Sequence, residues 1–307
     1  KNSTNVPTCE EFANMFKDLG SDINGGQEND TDERHINFLN YIDIHIYCRD
    51  TSRLDSRITI DEVKEAIHCL KPGKSHGLDL ITNEFLKSAP DKLKQTIVTI
   101  FNLVLDTGII PSSWSLGIIC PIYKNKGDKG DPNNYRGITI LSCLGKLFTC
   151  VLNKRLGIFI DNYNILGAEQ TGLRKGFSTL DHLFTFYGIV DILLSKRKRL
   201  YCAFLDYEKA FDKVNRAFLW QKLLNENVQG KIVTVVKNMY SEAKSCVMVN
   251  DKLSDFFKVD VGVRQGENLS PVLFSFFLND MNTYLGSTMN GLTSIIDEMN
   301  TCDMDPN

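Results

Sequence analysis

Between residues 59 and 105 the apolar positions recur every three or four residues. Val63, Ala66, Ile67 and Leu70 fall at i, i+3, i+4 and i+7, one face of a helix. Thr59-Ile60-Asp61-Glu62 ahead of them has the form of a capping box, and Pro72-Gly73 stops the helix. Leu93, Ile97, Ile100, Phe101 and Val104 mark a second helix, closed by Gly108 and Pro111. The period then changes. Residues 116–123 and 138–141 read as two strands of a hairpin enclosing KNKGDKGDPNNYRG. Helical spacing resumes over 142–160 and again over 179–195, which ends in Lys196-Arg197-Lys198-Arg199. An apolar, β-prone run at 201–205 follows. Helices are then predicted at 218–225 and 232–240, strands at 245–249 and 256–261 around Asn250-Asp251, and a long apolar helix opening at Ser270-Pro271. Before residue 58 only 10–19 has helical spacing, and 21–32 (SDINGGQENDTD) reads as a flexible polar linker. The pattern predicts an α+β fold, mostly helical with a small antiparallel sheet.

Composition narrows the class. With 307 residues and 42% hydrophobic content, the chain can build one large core or two small ones. No window approaches the ~18 uninterrupted apolar residues of a membrane span, and the polar start lacks a signal-peptide layout. Nine scattered cysteines with no Cys-x-x-Cys argue for reduced thiols inside the cell, in cytoplasm or nucleus, and against structural zinc; Cys202 reads as core packing. The net charge of −3 hides an asymmetry: residues 1–60 carry −5 and 297–307 carry −4, so 61–296 carry +6. A basic middle with acidic flanks permits nucleic-acid binding without proving it.

Candidate chemistry centres on 200–214, LYCAFLDYEKAFDKV. The apolar run delivers Asp206 at its end, where a carboxylate is open to ligand and can hold a hard cation together with substrate phosphates. The plainer alternative is Asp206 as a helix cap. Asp212 reads as a cap of the next helix. Some fifty residues on, GVRQGENLSPVLFSFFLND (262–280) places a Gly pair around Arg264-Gln265 ahead of the apolar helix. In the hairpin loop, Lys124 and Arg136 can meet a triphosphate, the planar guanidinium suiting bidentate contacts; a solvated basic loop is the alternative. KPGKSHGLDL (71–80) contains Gly73-Lys74-Ser75 but lacks the second glycine upstream that a Walker-type phosphate loop needs, which leaves Lys74 without that role.

The strand-Asp-x-x-x-Ala-Phe-Asp segment, followed by Gly-Val-x-Gln-Gly-x-x-Leu-Ser-Pro, resembles the reverse transcriptases of non-LTR (LINE-like) retrotransposons over about 58–291. The resemblance implies right-hand polymerase-type fingers at 58–199 and an incomplete palm at 200–296. Residues 1–57 would be an acidic linker or N-terminal extension, and 297–307 an acidic disordered tail. It implies an RNA-directed DNA polymerase that extends a DNA primer on an RNA template with dNTPs and Mg²⁺, beside an upstream endonuclease domain in the full-length protein. Asp206 would be the catalytic metal ligand, with the Tyr207 carbonyl beside it. Lys124, Arg136, Phe211, Arg264, Gln265 and Gly266 would contact the nucleotide, Phe211 by excluding a 2′-hydroxyl. Lys74, Arg174 and Lys175 would contact the template. Two departures stand out. The family's Tyr-Arg-Pro-Ile reads Tyr135-Arg136-Gly137-Ile138, which loosens the expected turn. The aromatic-x-Asp-Asp hairpin that completes the metal site has no counterpart, since the sequence contains no Asp-Asp pair. The expectation is a chain cut off upstream of that motif, and the alternative function is an inactive nucleic-acid-binding remnant.

Overall fold

The computed structural model describes residues 6–21, 49–167, 170–174 and 176–281. Eleven helices and five strands occur among them, in a mixed α and β arrangement. The first helix, α1 (Cys9–Gly20), begins with a capping box between Thr8 and Glu11. Then come α2 (Ser52–Asp55), α3 (Ile60–His68), α4 (Asn83–Lys87), α5 (Asp91–Thr107) and α6 (Ser112–Ser115). The Thr59–Glu62 capping box opens α3 as predicted, and Gly108 ends α5 in the left-handed conformation that suits a glycine. Next are β1 (Leu116–Tyr123), β2 (Tyr135–Ile140), α7 (Cys143–Tyr163) and α8 (Thr179–Ser195). The chain continues through α9 (Arg216–Asn225), α10 (Lys231–Ser241), β3 (Lys244–Val249), β4 (Lys252–Leu253), β5 (Phe257–Lys258) and α11 (Ser270–Leu278).

The sheet runs β2-β1-β3-β4, with β5 also on β3. It is not wholly antiparallel. β1 and β3 pair parallel, Ile118 opposite Cys246, because α7 to α10 intervene and return the chain in the same direction. Asn250 and Asp251 both have positive φ (50° and 61°), the two-residue turn that matches strand twist and sets Val249 opposite Lys252. The strand expected over 256–261 shortens to Phe257–Lys258.

The main core joins α3, α5, α7, α10 and α11. At its centre Phe101 meets Trp114 and Phe148 edge-on, with centroids 5.9 and 5.0 Å apart. A second cluster lies on the sheet: Phe12 and Phe16 of α1 bury against Ile119, Val247 and Phe257. The 1–57 stretch is therefore more than a linker, since α1 covers the sheet and Leu54 of α2 enters the main core. Gly137 belongs to this arrangement too. It lies within β2 rather than in a loose turn, and a Cβ there would stand 2.6 Å from the Phe16 ring.

The expected strand at 201–205 is absent. Residues 200–207 have no regular structure, with Tyr201, Phe204 and Leu205 exposed at 84, 84 and 72%, and Cys202 is exposed rather than core. β-Propensity describes fit to a pleated, half-buried surface and needs a neighbouring strand, and no described strand pairs with this run. The helix before it, α8, forms as predicted yet buries only Leu193. Residues 22–48 of the expected linker and the acidic 297–307 segment lie outside the described residues.

Candidate nucleotide site

One turn gathers the separated motifs. Residues 262–267 sit between β2 and the 211–214 segment, bonded to both. Gly262 N donates to Val214 O at 2.9 Å, Val263 N donates to Phe211 O at 2.8 Å, and Thr139 N donates to Gln265 O at 3.0 Å. Two glycines make this close approach feasible. Gly262 has φ +81°, and a Cβ there would lie 2.6 Å from Asp212 O; Gly266 has φ +107°, with Thr139 O at 2.7 Å.

Two arginines, Arg264 buried and Arg216 half-buried, hold the turn in place. Arg216 Nε donates to Gly262 O at 2.9 Å, and its other nitrogens donate to the carbonyls of Tyr240, Val259 and Val261. Burial pushes its pKa down to about 10. Arg264, 9% exposed, donates to the carbonyls of Trp114, Ser115 and Met239. Its pKa too is lowered, by burial. The expectation that Arg264 faces a nucleotide is therefore corrected. Its guanidinium is turned into the core, where each unpaired carbonyl would carry a desolvation cost.

Gln265 has the opposite disposition. Its Nε2 donates to both carboxylate oxygens of Asp212, at 3.2 and 3.0 Å. Asp212 caps no helix: Asn215 does that for α9, accepting from Phe218 N at 3.2 Å. Burial pushes the Asp212 pKa up to about 6, while Lys209, the Gln265 bond and Lys124 pull the other way. Phe211 beside it stacks on Phe274 at 4.8 Å and 17°.

The hairpin loop is internally braced. Lys124 Nζ donates to Asn133 O at 2.8 Å, Asn134 Nδ2 to Asp128 O at 2.8 Å, and Tyr135 OH to Lys129 O at 2.9 Å. Arg136 is exposed on β2 opposite Ile122. Lys209, which the motif reading passed over, links this loop to the Asp206 segment: its Nζ lies 3.5 Å from Asn133 Oδ1. Its position between the two acids of 206–212 and its positive φ of 54° are the signals that mark it.

The other expected site residues stand apart. Asp206 and Tyr207 are exposed, the Tyr207 hydroxyl 3.2 Å from Met281 Sδ. A carboxylate and an adjacent carbonyl fit one hard cation completed by water and phosphate oxygens. Among the described residues no three His, Cys, Asp or Glu side chains converge, so the donors for a second ion are not assembled there. Arg174 donates to Gly167 O and Gln170 O and lies 4.8 Å from the Phe177 centroid. Lys74 is exposed between α3 and α4, and Lys175 lies outside the described residues. Among the described residues, no helix is long and apolar enough to cross a membrane.

Residues 123–296 match the family model described as reverse transcriptase (RNA-dependent DNA polymerase). The RNA-directed DNA polymerase from the mobile element jockey of Drosophila melanogaster is 31% identical, over 75% of this chain and 25% of its own. The uncharacterized 149 kDa protein of transposon TX1 from Xenopus laevis is 30% identical over 80% of this chain and 18% of its own. A Pol polyprotein of the R2 element from Popillia japonica is 28% identical, over 75% and 31%. The chain spans about a quarter of the length of the jockey polymerase. Similarity of this kind does not favour the binding-only alternative. Matched over more than half its length, and akin to mobile-element polymerases along most of it, the chain belongs to the reverse transcriptase family, and within it to the non-LTR kind.

Proposed function

We propose that this chain forms the nucleotide-handling part of an RNA-directed DNA polymerase that copies a LINE-type element. The observation that carries the reading is the turn at 262–267, bonded at once to β2 and to 211–214. Three stretches separated by up to 127 residues of sequence, from Thr139 to Gly266, thereby share one surface. On it, the basic hairpin with Lys124 and Arg136 meets the phosphates of a dNTP. Phe211 lies under the sugar, Gln265 meets the nucleotide, and Gly266 lets it approach the backbone. The stretches 58–199 and 200–296 act as fingers and part of a palm, with Lys74, Arg174 and Lys175 toward the template.

Asp206 and the Tyr207 carbonyl are the residues that would hold Mg²⁺. The chemistry such an ion supplies is activation of the primer 3′-hydroxyl and stabilisation of the departing pyrophosphate. The test is dNTP incorporation on a primed RNA by the full-length protein that carries this chain. Asp206→Ala should abolish incorporation and leave salt-sensitive RNA binding intact. Equal incorporation by the variant would remove Asp206 from the chemistry and overturn the reading.

A further inference from the structure

Asp212 lies six residues beyond Asp206 and does not belong to the proposed metal set. The geometry nevertheless ties it to the nucleotide. Both of its oxygens face a single partner, the Nε2 of Gln265. An ionised carboxylate can only accept, so it takes the N–H end of the amide and repels the carbonyl end. The backbone of Gln265 is held by Thr139 N, and Asp212 lies between Phe211 and Val214, whose carbonyls accept from Val263 N and Gly262 N. Both backbones are thus tied to the same turn, which keeps the two side chains within reach of each other.

We propose that Asp212 is a positioning residue that fixes the polarity of the Gln265 amide, so that Oε1, an acceptor, is the atom left for the incoming nucleotide. This rests on the nucleotide-site reading above and deepens it: the group that Gln265 recognises must be a donor, a sugar hydroxyl or a base N–H. The surroundings support the assignment. Asp212, Arg216, Arg264 and Gln265 line one small cavity of about 60 Å³, and Lys209 and Lys124 act on the carboxylate from its own segment and from the hairpin. Lys209 and Lys124 favour the ionised, acceptor-only form against the cost of burial. An asparagine at 212 could donate or accept and would leave the amide free to turn over.

The experiment uses the full-length protein and selective ¹⁵N labelling of glutamine side chains, with Gln265→Glu to identify the Gln265 signal. In the wild type that signal should shift with pH as Asp212 titrates, and in Asp212→Asn the shift should vanish. Dissociation constants for Mg²⁺–dTTP are then measured from pH 5 to 8. Asp212→Asn should weaken binding about three- to tenfold at pH 7.5, the scale of one misdirected hydrogen bond. Wild-type binding should weaken toward pH 5 more than that of the variant, while protonation of the nucleotide itself is common to both. Arg136→Ala supplies the control. If Arg136→Ala weakens binding and Asp212→Asn does not, the proposal is overturned and the nucleotide site stands. If the wild type binds no dTTP, the site reading fails and the proposal with it, whatever the glutamine signal does. A Gln265 signal indifferent to Asp212→Asn overturns the contact directly.

Discussion

The Asp206 segment and the Gln265 turn are both short, motif-bearing stretches without regular secondary structure, yet they are organised in opposite ways. The Gln265 turn is surrounded: seven carbonyls accept from Arg216 and Arg264, two backbone bonds join 262–263 to 211–214, and one joins Gln265 to β2. Among the described residues the Asp206 segment has no comparable set of partners, and Tyr201, Phe204 and Leu205 are largely exposed. The difference lies in where each finds its partners. A turn whose donors are long arginines can recruit carbonyls from several directions, whereas a strand depends on one neighbour along its whole length.

The largest contrast should come from the arginines. Arg264→Met keeps much of the volume but leaves the Trp114, Ser115 and Met239 carbonyls without their donor inside the core. We expect a loss of about 3–5 kcal/mol in urea unfolding. A loss below about 1 kcal/mol would show that water satisfies those carbonyls, and that the turn is less dry than the burial of Arg264 implies. Gly262→Ala comes next. It forces a Cβ toward Asp212 O in a left-handed backbone, and should cost about 2–4 kcal/mol by the same measurement. Because the clash falls on the backbone between the two segments, it should also weaken dTTP binding, whereas Arg136→Ala is expected to weaken binding without destabilising the fold.

Much of this fold is legible in the residue pattern. The capping box at Thr59, the glycine stop at Gly108 and the Asn250-Asp251 turn are local devices with local partners, and each stands where the pattern predicts. Long-range partners are what the pattern hides. Nothing around Arg264 reveals that its guanidinium serves carbonyls at 114, 115 and 239, so an arginine beside a catalytic motif reads as a ligand contact. Asp212 reads as a cap because its amide partner lies 53 residues away. The apolar, β-prone composition that finds β1 fails at 201–205 because it describes a strand and says nothing of its neighbour.

The Asp212 carboxyl offers a contrast in pH. Its pKa is raised from 3.8 to about 6 in the folded chain, so the folded state holds the proton more tightly than the unfolded one. That contribution to stability is fully present below about pH 3.8 and is lost as the pH rises through about 6. Asp212→Asn has no such proton to lose. The stability of the variant relative to the wild type should therefore grow by about 1–3 kcal/mol between pH 4 and pH 7.5. A constant difference across that range would mean that the Lys209 and Lys124 charges cancel the cost of burial.

The smallest expected effects belong to the Asp206 segment, and they sharpen the comparison most directly. Asp206→Asn removes a charge that nothing described contacts in the core, so unfolding free energy should stay within about 0.5 kcal/mol of the wild type. Phe204→Ser replaces an exposed aromatic ring, and it too should be near neutral in stability. Its ring is 6.0 Å from that of Phe186, centroid to centroid, in α8, a helix that also exposes Leu183, Phe184 and Tyr187. The segment and the helix thus present a joint apolar patch, which favours self-association. Light scattering on heating should accordingly rise later for Phe204→Ser, although the unfolding midpoint in urea is unchanged. A loss of several kcal/mol in either variant would mean that 200–207 is packed in the folded protein. The two regions would then differ in kind of partner rather than in possession of one.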